Sequence, residues 1–236
     1  MTSGDVCSTE FPTLGHPEVH VRWSTRDDGD FHLDQEWSRL ERTRRSFVDL
    51  PWSQPDEVHG DVVGVVEHPG HLDGAVADAL VTDRDGAVLG IWVGDCAPVA
   101  LVSESGAIGA VHAGWRGIEA GVLQRAVEAL RGRSGDLVEA VLGPCIRPCC
   151  YDFGDDDLAR LARRYGASVC SVTRRGRRSL DVPAAVRAAL REVSVPMADR
   201  GGCTSCEPER YWSHRARGER GRQVLAIWRQ RPGVDR

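Results

Sequence analysis

Apolar positions are scattered through the first fifty residues and then gather into short runs. From Val21 to about Gln54 the chain is polar and arginine-rich, with Trp23, Trp37 and Trp52 spaced along it. Residues 37–48 read as a short helix whose Arg42, Arg44 and Arg45 would form a solvated face. From Val62 the texture changes. Residues 79–82, 87–93, 98–103 and 107–112 are β-prone runs, punctuated by turn signals such as Asp85-Gly86 and Ser105-Gly106. Ile118, Val122, Ala126 and Leu130 then recur at intervals of four, predicting one helix entered at Gly117 and closed by Gly132. Residues 138–142 read as a buried strand ending in Gly143-Pro144. Leu158, Leu161, Ala162 and Tyr165 mark a second helix, and Pro183 opens a third carrying Val186, Leu190 and Val193. Two β-prone runs, 210–214 and 223–228, close the pattern. No internal repeat, low-complexity tract or linker interrupts it. Residues 21–230 are therefore read as a single mixed α/β (α+β) domain, preceded by a segment, residues 1–20, expected to be poorly ordered.

Composition narrows the chemistry. Thirty basic residues against thirty-five acidic ones give a net charge of −5, which disfavours a broad nucleic-acid-binding face. All thirty basic residues are arginine. The absence of lysine removes Schiff-base catalysis, a pyridoxal-phosphate anchor, a Walker-A phosphate loop and the kinase ion pair. Anions must instead be met by arginine forks, helix N-termini or a metal. Residues 1–12 carry no basic region followed by an apolar run, and no apolar stretch approaches the roughly 20 residues of a membrane span. The expectation is a cytoplasmic protein without membrane contact, whose eight cysteines are reduced and serve as metal ligands, catalysts or core residues.

One pair of residues stands out. If 97–103 and 107–112 form a hairpin through the three-residue loop Glu104-Ser105-Gly106, Ser103 faces Ala107 and Pro98 faces His112. Cys96 shares the face of Pro98, which makes it a diagonal neighbour of His112, roughly 7–8 Å away at the backbone. A two-residue loop would separate them. His59, beside Gly60 at the start of an apolar run, is the natural third member. One cysteine and two histidines with a fourth position open are the pattern of a catalytic zinc site, although a buried Cys96 and unrelated histidines fit the same spacing. After His112, Gly114 and Gly117 expose backbone amides at a helix start and Arg116 adds a cationic fork. This is either an anion cradle or an ordinary glycine turn with a surface arginine.

Several motifs carry a family likeness. Ala77-Asp78-Ala79-Leu80-Val81-Thr82, Asp95-Cys96-Ala97-Pro98-Val99 and His112-Ala113-Gly114-Trp115-Arg116-Gly117 resemble the laccase-domain family. Its members have been called multicopper polyphenol oxidoreductases, purine nucleoside phosphorylases and peptidoglycan editing factors. Gly143-Pro144-Cys145-Ile146, Pro148-Cys149-Cys150-Tyr151, Cys203-Thr204-Ser205-Cys206, Ser213-His214-Arg215 and Gly221-Arg222-Gln223 extend the resemblance from about residue 21 to 228. It implies a β-sandwich-like mixed centre wrapped by short helices. It also implies His59, Cys96 and His112 as metal ligands, and Thr25-Arg26 as a second anion contact. Two departures matter: Asp56-Glu57 stands where the family has Arg-Gln, and Gly94 where it has Ala. Carboxylates in place of a cation would weaken phosphate binding near the metal. Cys203 and Cys206 form a Cys-x-x-Cys half-site, which with Cys145, Cys149 and Cys150 offers donors for a second metal. The resemblance puts these cysteines around the site without making them ligands. Arg174, Arg175, Arg177 and Arg178 read as a solvated loop.

The functional expectation is a zinc-dependent purine nucleoside phosphorylase acting on adenosine-type nucleosides, with inosine, guanosine and methylthioadenosine as further candidates. Arg116 and Arg26 would hold phosphate beside Gly114. Adenosine deamination in the same pocket would use Asp95, the nearest carboxylate in sequence, as proton carrier. The usual nucleobase-deaminase signature is absent. The alternative is a cysteine-type amidohydrolase editing peptidoglycan precursors, with Cys96 as nucleophile and His112 as base. A copper-dependent polyphenol oxidase is disfavoured, because only eight histidines are present and none forms a His-x-His pair. A binding module without turnover is the remaining class. The expected assembly is a monomer or weak homodimer.

Overall fold

The computed structural model describes residue 16, residues 18–135 and residues 138–230. The expectation of poor order for residues 1–20, and Cys7 with it, falls mostly outside the described residues; Val19 and His20 belong to β1. The first half of the fold comprises β1 (Val19–Trp23), α1 (Trp37–Phe47), β2 (Trp52–Ser53), β3 (Val63–Val65), β4 (Ala79–Thr82) and β5 (Val88–Val93). Then come β6 (Ala97–Ser103), β7 (Ile108–Ala113), α2 (Trp115–Ala120), α3 (Val122–Ser134), β8 (Val138–Leu142) and α4 (Asp155–Tyr165). The chain continues through β9 (Cys170–Val172), β10 (Arg178–Leu180), α5 (Val182–Glu192), β11 (Met197–Asp199), α6 (His214–Arg217) and β12 (Gln223–Arg229).

Side-chain alternation along the central strands explains the layering. In β6, Ala97, Val99 and Leu101 pack under α2–α5, while Ala100 and Val102 point at a second sheet. Both faces are covered, so these strands read as continuous apolar runs. The six-stranded sheet has the order β11-β8-β6-β7-β4-β3, and the four-stranded sheet the order β1-β12-β5-β2. Leu89, Ile91, Leu225 and Ile227 of the smaller sheet meet Leu80, Val102, Ile108 and Val141 of the larger. Phe31, Phe47 and Trp52 cover the outer face of the smaller sheet. The result is a single mixed α/β domain built as helices, sheet, sheet and an outer helix, with the sandwich at its centre. No helix among the described residues is long and apolar enough to cross a membrane.

Four local expectations are corrected. The helix expected over 117–132 is two helices, α2 and α3, broken at Gly121, whose φ of +100° only glycine adopts at little cost. The break keeps the four-residue phase, so Ile118 and Val122 still face the core. Gly132 lies inside α3, which ends before Gly135. Residues 210–214 form no strand: the Trp212 N–H donates to the Gln223 side chain and Ser213 caps α6. Strand β1 begins at Val19, two residues before the expected domain start, and was hidden in the polar segment. It pairs antiparallel with β12, burying Val19 and Val21 and leaving Arg22 on the other face.

Arg44 is the fourth correction. It belongs to no solvated face, being 1% exposed. Its Nη atoms donate to both Asp73 carboxylate oxygens at 2.9 and 3.0 Å, and its Nε donates to Gln54 Oε1 at 3.1 Å. Three donors thus find acceptors in a fork geometry that only arginine offers. Asp73→Ala leaves that cation buried without its counter-charge, with Gln54 alone accepting from it, and is expected to cost about 3–5 kcal/mol in urea unfolding. Arg45→Ala, which removes an exposed pair with Glu41, should cost less than about 1 kcal/mol. Equal effects would show that Arg44 is solvated in solution.

Candidate active site and metal cluster

The β6–β7 hairpin forms with the expected register. Pro98 pairs with His112, and the Ser103 N–H donates to the Ala107 carbonyl across the loop closed by Gly106 at φ +80°. Cys96, one residue before β6, therefore lies on the same face as His112. His59 arrives from the loop before β3 with φ +61°, an uncommon backbone state for a histidine. Its Nε2 is 3.8 Å from Cys96 Sγ, and the donor atoms of His59, Cys96 and His112 all lie within 4.8 Å of one another. The structure brings the three expected ligands together.

Asp78, fully buried at the start of β4, sets this geometry. Its Oδ1 accepts from the His59 backbone N–H at 2.8 Å, and its Oδ2 accepts from Gly60 N–H at 2.7 Å. Oδ1 also accepts from His112 Nδ1 at 2.8 Å, which leaves Nε2 as the ring atom for Cys96 or a metal. A carboxylate behind a histidine is how metal-binding imidazoles are oriented. Gly114 makes the close approach possible. A Cβ there would lie 2.9 Å from the His59 ring, 3.4 Å from Cys96 Sγ and 3.5 Å from His112 Cε1. Gly117 is needed for a similar reason, since a Cβ would fall 2.7 Å from the Gly60 carbonyl. The two glycines serve proximity at the cluster.

The cluster opens into a cleft of about 430 Å³ whose walls include Trp92, Trp115, Arg116, Tyr151, Arg215 and Arg222. Arg116 is exposed, with its guanidinium 4.2 Å from the Trp115 ring centre and no hydrogen bond to a described residue. The other two arginines are committed. Arg222 Nη1 donates to the carbonyls of Glu219, Arg220 and Gly221, and Arg215 Nη1 to that of Asp152. Arg26 is outside the cleft wall: it donates to the Tyr211 carbonyl, pairs with Glu219 and stacks 3.9 Å over Trp212. It does not provide a second anion contact here.

Asp95 is likewise occupied. Its φ is +132°, and its carboxylate accepts from Thr204 and Ser213 hydroxyls at 2.6 and 2.7 Å and from the Arg215 N–H at 2.6 Å. It lines the cleft, but these donors take up both oxygens, so it fixes the 204–215 segment beside Cys96. The carboxyl that faces the cluster is Glu57, which the sequence marked only as a family departure. Glu57 is 3% exposed at the side chain, with Oε2 3.5 Å from His112 Nδ1 and Oε1 accepting from Trp92 N–H at 2.9 Å. Its neighbour Asp56 is exposed and bridges Val76 through the backbone. Asp78 sits within a recognised motif, yet nothing in the sequence signalled its role.

Charge coupling follows from this crowding. Burial opposes ionisation of the Cys96 thiol, but His112 and His59 outweigh it and bring the thiol down to about 6. Burial alone would lower His112; Glu57, Cys96 and Asp78 instead hold it well above the ordinary histidine value. Burial pushes the Glu57 carboxyl up to about 8, against the pull of His112 and the Trp92 N–H. A ready thiolate and an oriented His112 ring, which would give up its Nε2 proton on ligation, joined by His59, are a donor set that fits a divalent transition metal.

Fold and site together define a β-sandwich protein with a three-donor cysteine–histidine cluster at the mouth of a cleft. The sequence profile of the multi-copper polyphenol oxidoreductase laccase family matches residues 23–230, and the chain belongs to that family. A purine nucleoside phosphorylase of Xylella fastidiosa is 41% identical over 158 residues, covering 64% of this chain and 60% of the relative. The alignment thus spans less than two thirds of that relative's length. An adenosine deaminase from an unknown prokaryotic organism is 33% identical over 163 residues, covering 65% and 62%. A crystal structure of a Neisseria meningitidis protein superposes with a TM-score of 0.82 at 26% identity, covering 94% of this chain and 98% of that one.

Alkylation tests the electrostatics. The Cys96 value lies below the ordinary thiol value near 8.5, so the thiolate is present above about pH 6 and lost below it. In metal-stripped protein, Cys96 alkylation followed by peptide mass spectrometry should reach half its maximal rate near pH 6. His112→Ala should move that midpoint upward by one unit or more. A wild-type midpoint near 8.5 would show that the imidazoles do not act on the thiol.

Proposed function

We propose that this chain is a zinc-dependent purine nucleoside phosphorylase acting on adenosine-type nucleosides. The observation that carries the reading is the cysteine–histidine cluster opening onto a cleft with aromatic walls and one uncommitted arginine. The cleft volume falls in the usual range for small-ligand sites, about 300–1,000 Å³. The phosphorylase and deaminase relatives support the substrate class. His59, Cys96 and His112 would hold the metal, and one thiolate with two imidazoles suits zinc with an open position. When bound, zinc supplies a Lewis acid beside the substrate.

The remaining chemistry belongs to side chains of this chain. Trp92, Trp115 and Tyr151 offer ring faces and edges for the purine. Arg116 holds phosphate, one oxygen of which attacks the ribose anomeric carbon while the bond to the purine nitrogen breaks. The departing base takes the electron pair and needs a proton. Glu57 takes the role expected of Asp95: its carboxyl stays protonated at neutral pH, so it has that proton to give. Asp78 keeps His112 oriented throughout. Products are the free base and ribose 1-phosphate.

Purified protein is incubated with adenosine, with and without phosphate, and the products are separated by chromatography. Free adenine that appears only with phosphate is the expected result. Inosine formed regardless of phosphate would replace the reading with deamination. Turnover of a cell-wall amide by metal-free protein would replace it with cysteine hydrolysis.

Arg116→Ala should raise the phosphate KM roughly ten- to a hundredfold, the equivalent of about 1.5–3 kcal/mol for a charge-assisted contact. Metal content should not change, and lysine should restore only part of the loss. Deamination, whose nucleophile is water, should fall much less. Equal losses in both reactions would show that Arg116 supports the cleft as a whole.

A further inference from the structure

A second sulfur cluster lies outside the cysteine–histidine site. Cys149 and Cys150, in the short turn Pro148–Cys150, meet Cys203 and Cys206 of the Cys-x-x-Cys half-site, and all four sulfurs lie within 4.8 Å of one another. The Cys149 sulfur is 3.6 Å from Cys150, 3.9 Å from Cys203 and 3.6 Å from Cys206, and Cys150 is 3.3 Å from Cys206. A tetrahedral zinc with Zn–S bonds of about 2.3 Å places its sulfurs about 3.8 Å apart. A disulfide would instead draw two sulfurs to about 2.05 Å and leave each with one partner. Here Cys149 has three sulfur neighbours and Cys206 has two, which is the pattern of a shared centre. Cys145, grouped with these residues by sequence, is not part of it.

We propose that Cys149, Cys150, Cys203 and Cys206 bind a second zinc ion as a four-thiolate structural site, independent of the phosphorylase reading. Four sulfur donors leave no open position for substrate, so the ion is a staple. Four thiolates and one divalent cation carry a net charge of about −2, and the surroundings answer it. Arg174, Arg175 and Arg177 form the expected solvated loop, all exposed, and line a recess together with Cys149, Cys150 and Asp152, with which Arg177 pairs at 3.1 Å. Arg217 donates to the carbonyls of Thr204 and Ser205 inside the half-site. The ion joins two segments that flank the cleft: Tyr151 follows Cys150 directly, and Thr204 donates to Asp95 beside Cys96. It therefore holds the cleft wall against the cluster it serves.

Full-length protein is reduced, loaded with Zn²⁺, freed of excess metal and analysed for zinc by mass spectrometry. Wild type should hold two zinc ions per chain and folded Cys96→Ala one. Cys149→Ser with Cys206→Ser should lose the second ion, but that variant can fail to fold, so Co²⁺ loading of Cys96→Ala is the deciding measurement. The expected spectrum is the intense sulfur-to-cobalt charge transfer of a four-thiolate tetrahedral site. Two ions in wild type, or one in both proteins, support the proposal; the second result would remove the metal from the His59–Cys96–His112 cluster instead. One ion in wild type and none in folded Cys96→Ala overturns it. So does an intact mass showing that these four cysteines form disulfides after Zn²⁺ loading.

Discussion

Everything at the candidate site depends on one buried carboxylate. Asp78 accepts three hydrogen bonds, two from the backbone of His59 and Gly60 and one from the His112 ring, and so joins a loop to a strand at fixed distance. Burial pushes its carboxyl up, but His112 and the two N–H groups outweigh that effect and keep it below the usual carboxylate range. The anion is thus stable where water is absent, and His59 can be held at a positive φ it would not choose alone. Asp95 does the corresponding work on the other side of Cys96, with Thr204, Ser213 and Arg215 as donors. Two carboxylates, neither a ligand, position the three donors between them.

The sandwich supplies the stiffness behind this arrangement. Cys96 and His112 sit where β6 begins and β7 is about to end, on the face that elsewhere packs against the smaller sheet. At that margin the interlayer core gives way to the cleft, so residues of the right parity pass from packing to chemistry without a change in backbone. Val99, Leu101 and Val111 on the opposite face are pinned beneath the helices. A hairpin covered on both sides cannot slip register, because a one-residue shift would reverse every side chain. Precision in the cluster follows from burial in the sheet.

Much of this was legible in the sequence because it is local. The three-residue loop and the alternation of β6 and β7 were enough to place Cys96 beside His112, while His59 came in as a candidate whose ligand role the family resemblance implied. What failed was long-range and polar. Thirty-five acidic residues look alike in a sequence, so nothing distinguished Asp78 and Glu57 as the two that meet His112, or Asp95 as one already committed. The Arg44 periodicity suggested solvent because its partner Asp73 is 29 residues away. Strand β1 was missed because His20 and Arg22 mask the alternation of Val19 and Val21, which only β12 makes meaningful. The helix break at Gly121 left no trace in the apolar spacing because the phase survives it.

The absence of lysine explains how the cleft is walled. An arginine fork can satisfy several carbonyl groups at once, and near the site this capacity is used structurally. Arg222 closes three carbonyls of its own loop, Arg217 ties the 204–205 turn to Tyr211, and Arg26 ties Tyr211 to Glu219. Each of these guanidiniums is tied to backbone carbonyls or to Glu219 where it stands, so the loops beside the cleft are held in place. Arg116 differs because it follows Gly114 and Trp115 at the start of α2, where its guanidinium lies over the Trp115 ring and makes no hydrogen bond to a described residue. Arg116 thus stays exposed on the cleft wall, while Glu57 beside His112 carries a carboxyl that burial pushes up to about 8 and so leaves largely uncharged at neutral pH.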